Sequence, residues 1–330
     1  MNKSRDYRFD TVKGVMILLV IFGHAIGNKL FLKVDNPTIV PYVYAVVRSF
    51  EMPVIVFISG YFSKNIDNLK PDYFKKCFVN YLLPYIIFNT IFIFSYDKGI
   101  ESILLPQYTM WYLISLFFWK LMILPFSKVK GILPISIIIA ILLGYTNTYR
   151  GVLSLTRTFT FFPFFLAGFF CKEELINKIE KKKVVFLVIF VALIAFVCLL
   201  HSKYLRMPVD LYMLSQVYDK ELNPYYLNII FRLVVMGIGF IAIFCCFSLV
   251  NREKNILTIL GQRSMLVYLL HGRVIKYLVE YLGHLKFAGE FTFIIICMIT
   301  TVLLCVLFAN KYSVKAYDKL MNSIALIIMR

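Results

Sequence analysis

The sequence predicts an all-α fold, namely a polytopic integral membrane helix bundle with about ten transmembrane helices. Its 330 residues are 60% hydrophobic and only 16% charged, and the mean hydropathy is +0.78. A soluble domain has nearer half apolar residues and about a quarter charged residues. The apolar residues also gather in long runs, and short clusters of basic residues separate these runs. Together these observations indicate a chain that crosses a lipid bilayer many times.

Ten apolar runs qualify as membrane spans, because a helix needs about 20 apolar residues to cross roughly 30 Å of hydrocarbon. They lie at roughly 12–32, 39–62, 78–96, 109–126, 131–147, 152–170, 184–201, 227–250, 256–279 and 289–310. Lys120, Pro134 and Arg157 interrupt the fourth, fifth and sixth runs, which are therefore the least regular of the ten.

The basic residues predict the orientation of these spans. With the N-terminus inside, the segments that face the cytoplasm carry 21 of the 36 Lys and Arg residues, and the outer segments carry eight. An excess of Lys and Arg is typical of cytoplasmic loops. We therefore expect an even number of spans and two cytoplasmic termini. The same loop clusters account for the net charge of +18, so no nucleic-acid partner is expected.

Residues 1–330 are interpreted as a single membrane domain, and we expect no soluble domain. The first apolar run lacks a small-residue cleavage site, so it is predicted to be a retained span rather than a signal peptide. Residues 313–330 are typical of an interfacial amphipathic helix. The seven cysteines have no ligand spacing, so neither a disulfide nor a metal site is expected. The predicted location is the cell membrane, of the bacterial plasma-membrane kind.

Ionisable side chains inside the spans are the first candidates for function, because charge within a bilayer is costly and usually faces the bundle interior. At 1.5 Å per residue, His24 lies about 18 Å and His271 about 22 Å from the inner edges of their spans. Arg48 and Arg157 enter from outside to depths of about 16 Å and 22 Å. Glu51 follows Arg48 by three residues, so the two can pair. The shared depth indicates either a functional site or an inter-helical structural network.

Charged groups closer to the span ends have a simpler interpretation. Lys120, Arg232, Arg273 and Lys276 are expected to extend along apolar surface and place their charges in interfacial water. At the inner end of the first span, the stretch RDYRFDTVKG forms a cationic mouth. Such a mouth suits a phosphorylated ligand, and ordinary inside-positive anchoring explains it equally well.

Five motifs carry a resemblance to a known family. RFDTVKGVMILLVIFGHA, with Asp10, Lys13 and His24, is similar to the opening signature of the membrane acyltransferase-3 family. FEMPVIVFISGYFSK, MWYLISLFF, RTFTFFPFFLAGFF and LGQRSMLVYLLH resemble further family motifs in the family order, over about residues 8–310. Two positions depart from the pattern. Lys13 stands where the family usually has Arg, and Glu51 stands where the sugar O-acetylase branch typically has His.

The resemblance implies a membrane O-acyltransferase. Such an enzyme moves an acyl group, usually acetyl, from cytoplasmic acetyl-CoA to a hydroxyl of a cell-surface polysaccharide (capsule or exopolysaccharide) or lipid-linked sugar. His24 is the expected general base or positions the acceptor hydroxyl. His271 supports it or is structural, and Glu51 supplies carboxylate support or pairs with Arg48. We assign the donor phosphates to Arg8, Lys13 and Arg263, with Asp10 ordering Lys13. Arg48 and Arg157 are expected to orient the acceptor or stabilise the oxyanion, and Trp111 to bind the substrate.

Two alternatives stay open beside the enzyme. A transporter or flippase for a glycan or lipid-linked sugar would also contain intramembrane charge, so these residues alone do not separate the two. No internal repeat is visible in the motifs, which favours the enzyme over a transporter built of inverted halves. Nothing positive supports a membrane sensing module. In the enzyme, the expected partners are the lipid bilayer, acyl-CoA and the glycan acceptor.

Overall fold

The computed structural model describes residues 6–27, 37–64, 71–95, 99–145, 151–205, 207–214, 218, 224–282 and 289–328, and it contains no β-strand within these ranges. The helices are α1 (Arg8–Ile26), α2 (Val40–Tyr61), α3 (Pro71–Cys77), α4 (Leu83–Ser95), α5 (Trp111–Phe126), α6 (Ile132–Leu142), α7 (Leu155–Phe170), α8 (Glu173–Glu180), α9 (Lys183–His201), α10 (Tyr225–Leu249), α11 (Ile256–Gln262), α12 (Ser264–Leu282), α13 (Glu290–Phe308) and α14 (Lys311–Ile328). A π-helical turn, Phe78–Leu82, joins α3 to α4. The all-α class is confirmed.

Seven helical segments among the described residues are long and apolar enough to cross a membrane. They are Arg8–Ile26, Val40–Tyr61, Tyr73–Ser95, Val152–Phe170, Lys183–His201, Tyr226–Leu249 and Glu290–Phe308. Two shorter apolar helical segments, Trp111–Phe126 and Ile132–Tyr145, coincide with the fourth and fifth predicted runs. The protein is therefore a multi-pass membrane protein. Residues 28–32 of the first predicted run lie outside the described residues.

The ninth predicted run is not one helix. It is divided at Arg263, whose backbone angles of −106° and 16° are not helical, into α11 and α12. The start of α11 is fixed by a capping box in which Asn255 accepts from the backbone N–H of Thr258, and the Thr258 hydroxyl accepts from that of Asn255. The prediction of a continuous span over 256–279 was therefore wrong. At the C-terminus, α14 forms a helix over most of the predicted segment 313–330, and its interfacial location stays a prediction.

The chain divides into two compact units. Unit 1 comprises Met1–Ile55, Lys172–Met213 and Val234–Ser313, and unit 2 comprises Val56–Cys171, Leu214–Leu233 and Val314–Arg330. The division falls within α2, within α10 and within α14.

In unit 1, α1 is held against α11 by small residues. A Cβ atom added to Gly14 would overlap the carbonyl oxygen of Leu257, and one added to Gly261 would overlap that of Asp10. Small residues in membrane helices permit such close backbone contact. The Thr11 hydroxyl also hydrogen bonds to that of Thr258 over 2.9 Å. Since α12 follows α11 directly, this contact positions both His24 on α1 and His271 on α12.

The start of α2 is fixed by a carboxylate from α13. Glu290 accepts hydrogen bonds from the backbone N–H groups of Thr38 (2.6 Å), Ile39 (2.6 Å) and Val40 (2.9 Å). A carboxylate satisfies the free N–H groups of a helix start and interacts favourably with the helix dipole. This cap sets the position of the helix that carries Arg48.

In unit 2, α7 is central to the packing. Gly60 and Gly168 allow the end of α2 to contact α7, since a Cβ at either would overlap a carbonyl oxygen of the other helix. From α5, the indole N–H of Trp119 donates to the carbonyl oxygen of Thr158 over 2.7 Å. The Ser115 hydroxyl lies 2.8 Å from that of Thr158. These buried polar contacts lock α5 onto α7.

Candidate active site

Four ionisable side chains from three helices of unit 1 form one cluster. The guanidinium of Arg48 (α2) makes an ion pair with Glu51, one turn further along the same helix. It also lies 3.1 Å from Nδ1 of His24 on α1. The imidazole rings of His24 and His271 (α12) have centroids 5.3 Å apart and an interplanar angle of 48°. We call these four residues the histidine cluster. The pairing expected from the three-residue spacing of Arg48 and Glu51 is present.

The histidine cluster is mostly buried, with His24 half-buried, and a glycine makes room for it. Glu51 and His271 have no exposed surface, and 9% of the Arg48 side chain is exposed. A Cβ atom on Gly23 would lie 3.0 Å from Oε2 of Glu51 and 3.1 Å from Val47. The absence of a side chain at Gly23 therefore lets α1 approach α2 beside His24.

The neighbours of the two histidines assign different tautomers to them. Nδ1 of His271 lies 3.1 Å and 2.7 Å from the carbonyl oxygens of Val267 and Tyr268, which only accept hydrogen bonds. Nδ1 of His271 therefore carries the proton, and its Nε2 holds a lone pair. Nδ1 of His24 instead faces the Arg48 guanidinium, which only donates. Neutral His24 therefore carries its proton on Nε2.

Three buried atoms of the histidine cluster have no hydrogen-bond partner among the described residues. They are Nε of Arg48, Oε2 of Glu51 and Nε2 of His271. Buried polar atoms in folded proteins are nearly always paired, and each exception calls for an explanation. One donor and two acceptors are thus available here for a polar ligand. Among these atoms, Nε2 of His271 is the neutral imidazole nitrogen suited to accept a proton.

The sequence assigned Arg8 to the donor phosphates, but residues of unit 1 accept all of its guanidinium hydrogen bonds. Its guanidinium is 0% exposed and bonds to Asp6, to Glu180 at 2.9 Å, to Asn177 at 2.6 Å and to the carbonyl oxygen of Ile176 at 3.5 Å. All five N–H groups are used. This geometry leaves Arg8 no N–H group for a phosphate, and the residue ties the start of α1 to α8.

The other three predicted donor residues lie near the contact of α1 with α11. Asp10 accepts a 2.8 Å hydrogen bond from the side-chain amide of Gln262. Arg263, at the break between α11 and α12, donates to the carbonyl oxygen of Ala309 over 3.4 Å. Lys13 is half-buried on α1, one turn beyond Asp10. The cationic side chains of Lys13 and Arg263 therefore lie toward the same end of the unit 1 helices.

The two predicted acceptor residues of unit 2 contact each other. The guanidinium carbon of Arg157 (α7) lies 5.2 Å from the ring centroid of Trp111 (α5), in cation–π geometry. Trp111 also packs against Phe161 at 5.3 Å. The common depth expected for Arg157 and the histidine cluster spans both units and stays a prediction.

Two of the predicted interfacial cations are instead buried. Arg232 is 3% exposed and Arg273 is 8% exposed, so neither extends along the protein surface. Arg273 packs its guanidinium 3.9 Å from the ring centroid of Tyr277. Arg232 contacts Thr160 and the carbonyl oxygen of Leu214. The interpretation of these two residues was wrong because their partners, rather than their distance from the helix end, determine their burial.

The family described as Acyltransferase domain matches residues 6–310. Nodulation protein NolL of Sinorhizobium fredii is 40% identical over 58 residues, which cover 18% of this chain and 16% of that protein. NolL of Mesorhizobium japonicum is 37% identical over 62 residues, which cover 19% and 16%. No solved structure matches the chain.

The two relatives share only a short segment with this chain, whereas the family match extends over nearly all of it. That match includes all four residues of the histidine cluster and the predicted donor and acceptor residues. The chain therefore belongs to the membrane acyltransferase-3 family.

Proposed function

We propose that the protein transfers an acetyl group from acetyl-CoA, bound on the cytoplasmic side, to a hydroxyl of a cell-surface polysaccharide or lipid-linked sugar. The observation that supports this proposal is the histidine cluster, in which the buried Nε2 of His271 has no hydrogen-bond partner among the described residues and can accept a proton. The proposed setting is a bundle of ten spans in the cell membrane with both termini cytoplasmic.

The different tautomers of His24 and His271 give each histidine its own task in the reaction, whereas the sequence assigned the chemistry to His24 first. Nε2 of His271 accepts the proton of the acceptor hydroxyl as its oxygen attacks the thioester carbonyl carbon. His24 carries its proton on Nε2 and donates it in a hydrogen bond to the reacting oxygen atoms. The carbon–sulfur bond then breaks, and the proton held by His271 passes to the leaving thiolate. The products are the O-acetyl ester and coenzyme A with a free thiol.

Arg48 and Glu51 act through His24. The Arg48 guanidinium donates to Nδ1 of His24 and so holds this histidine in the Nε2–H form. Glu51 supplies the negative charge that keeps the buried guanidinium in place. In this arrangement Glu51 is a positioning residue. The ion pair with Arg48 accommodates a glutamate at the position where the sugar O-acetylase branch typically has histidine.

Donor and acceptor occupy separate groups of residues in this proposal. Lys13 and Arg263 bind the phosphates of coenzyme A, and Asp10, held by Gln262, orders Lys13. Arg8 is assigned to the anchoring of α1, because its N–H groups are all occupied. Arg157 and Trp111 orient the sugar acceptor, since an aromatic ring beside a guanidinium offers both stacking and hydrogen bonding.

The proposal is tested with purified protein, acetyl-CoA labelled in the acetyl group, and a panel of capsule, wall and exopolysaccharide fragments. We expect labelled glycan and release of the coenzyme A thiol. His24→Asn is expected to reduce transfer at least about 100-fold, the contribution typical of an acid–base or oxyanion group. His201→Asn is the matched control, because His201 lies on α9 and bonds to Met207 outside the histidine cluster.

Equal transfer by His24→Asn and His201→Asn would remove His24 from the reaction. If no acceptor becomes labelled but labelled glycan crosses vesicles that contain the protein, transport replaces transfer as the function.

A further inference from the structure

A buried arginine of unit 2, Arg232, lies in surroundings that an ion pair among the described residues does not explain. It is on the first turns of α10, and only 3% of it is exposed. No carboxylate forms an ion pair with it in the described part of the chain. A buried cation without a counter-ion is costly, since its desolvation is not offset by attraction to a negative charge.

The hydrogen bonds of Arg232 use fewer than half of its donors. Nη2 donates to the carbonyl oxygen of Leu214 over 2.6 Å and to the Thr160 hydroxyl over 3.3 Å. Nε and Nη1 have no hydrogen-bond partner among the described residues. By geometry, three of the five guanidinium N–H groups therefore make no hydrogen bond to the described residues. The ring centroid of Tyr218 lies 5.5 Å from the guanidinium carbon in cation–π geometry, and the Tyr218 hydroxyl also interacts with the cation, but this side chain adds no formal charge.

Arg8 is a buried arginine of this protein whose role is to join helices, and it serves as a comparison for Arg232. Like Arg232, it is buried, but its five N–H groups are all bonded, and Asp6 and Glu180 supply two negative charges. Among the described residues, Arg232 has neither the charges nor the full set of acceptors. The contrast indicates that the environment of Arg232 is completed by a group that is not part of the described chain.

Neighbouring positions on α7 and in the turn that follows α6 extend the same environment. Thr156 precedes Thr160 by one turn, so the two hydroxyls share a face of α7. Thr156 is 3% exposed, and its Oγ1 also lacks a hydrogen-bond partner among the described residues. On the other side, a Cβ atom on Gly144 would overlap Nη1 of Arg232 and the Tyr218 ring. The close approach at Gly144 fixes the guanidinium where its free N–H groups remain unpaired.

We propose that Arg232 and Thr156 form an anion-binding site in unit 2, which takes a carboxylate or phosphate group of a ligand. Water would satisfy the free N–H groups but would leave the guanidinium charge without compensation. An anionic oxygen group supplies both acceptors and charge, and its bonds to arginine are about twice as strong as neutral ones. This site is distinct in its residues from the histidine cluster, and the inference does not rest on acyl transfer.

The test uses the purified full-length protein in detergent at constant ionic strength. Thermal unfolding is followed with increasing acetate in one series and increasing methyl phosphate in the other. A ligand that binds the folded state raises its stability in a saturable way. We expect such a rise with one of the two anions, and the more effective anion distinguishes a carboxylate ligand from a phosphate ligand.

Arg232→Gln keeps a donor for the Leu214 carbonyl but removes the charge, and it is expected to weaken the apparent affinity at least tenfold. Thr156→Val, which keeps the shape of the side chain, is expected to weaken it several-fold. Arg252→Gln is the control, because Arg252 is half-exposed and pairs with Glu180 in unit 1. An equal rise in the wild type and Arg232→Gln would overturn the proposal, as would the lack of a saturable rise with both anions in the wild type.

Discussion

Substitution of Glu51 by Gln isolates the charge that holds the histidine cluster together. Glu51 has no exposed surface, and its Oε1 accepts from Nη1 of Arg48. Gln keeps the accepting oxygen but removes the negative charge, so the Arg48 guanidinium remains buried without a counter-ion. Removal of one partner from a buried ion pair costs about 3–5 kcal/mol. Because the hydrogen bond is retained, we expect a loss near the lower end, about 3 kcal/mol.

The free energy of unfolding is measured by reversible denaturant titration in mixed micelles. Glu280→Gln is the matched control. Glu280 is 54% exposed and lies 3.6 Å from Lys276, so its ion pair belongs to the surface class. Such pairs contribute about 0–1 kcal/mol. Equal losses of stability in Glu51→Gln and Glu280→Gln would refute the idea that the buried pair supports the histidine cluster.

A double substitution separates stability from chemistry. Arg48→Met combined with Glu51→Leu replaces both charges by apolar groups, and such replacements of buried ion pairs are often neutral or stabilising. We expect this variant to recover most of the stability lost in Glu51→Gln. It should remain inactive in acetyl transfer, because Nδ1 of His24 then lacks its donor and the tautomer is no longer held. Wild-type activity in the double variant would show that Arg48 does not position His24.

Three further outcomes follow from the packing and charges of unit 1. Gly261→Ala should destabilise by about 1–3 kcal/mol through overpacking against α1, whereas Gly237→Ala, where nothing lies within 4 Å, should not. Burial opposes ionisation of Asp6, but hydrogen bonds from Arg8 outweigh burial and lower the pKa of the Asp6 carboxyl. The stability that ionised Asp6 contributes is present above pH 4 and is lost as the pH falls through the lowered pKa. Titration from pH 7 to 3 should therefore reduce the stability of Asp6→Asn less than that of the wild type. Lys13→Ala should raise the KM for acetyl-CoA while Lys13→Arg preserves it, and an unchanged KM in Lys13→Ala would exclude this lysine from donor binding.

Much of the fold and part of the site could be predicted because they depend on local sequence. Apolar runs alone predict helices, and the three-residue spacing of Arg48 and Glu51 predicts their pairing. The depth estimate for His24 and His271 also anticipates their contact, since residues at similar depth on neighbouring helices can meet. These features need only the rise of a helix and the thickness of a bilayer.

The features that escaped prediction depend on distant partners. Arg8 is bonded by residues about 170 positions later in the chain, so its sequence neighbourhood suggested a free cation. Arg232 is buried because Leu214 and Thr160 surround it, although its place near a helix end suggested an exposed side chain. The capping box of Asn255 and Thr258 marks the start of α11, whereas the break at Arg263 lies inside what looked like one apolar run.

The central claim is that Nε2 of His271 accepts the proton of the acceptor hydroxyl. The most direct measurement is the kcat of acetyl transfer by His271→Gln, compared with His201→Gln and with the wild type at the same acetyl-CoA concentrations. We predict a fall of about 100-fold to 10,000-fold in kcat for His271→Gln, with an unchanged KM for acetyl-CoA and a normal rate for His201→Gln. A kcat for His271→Gln within a few-fold of the wild type would contradict the assignment.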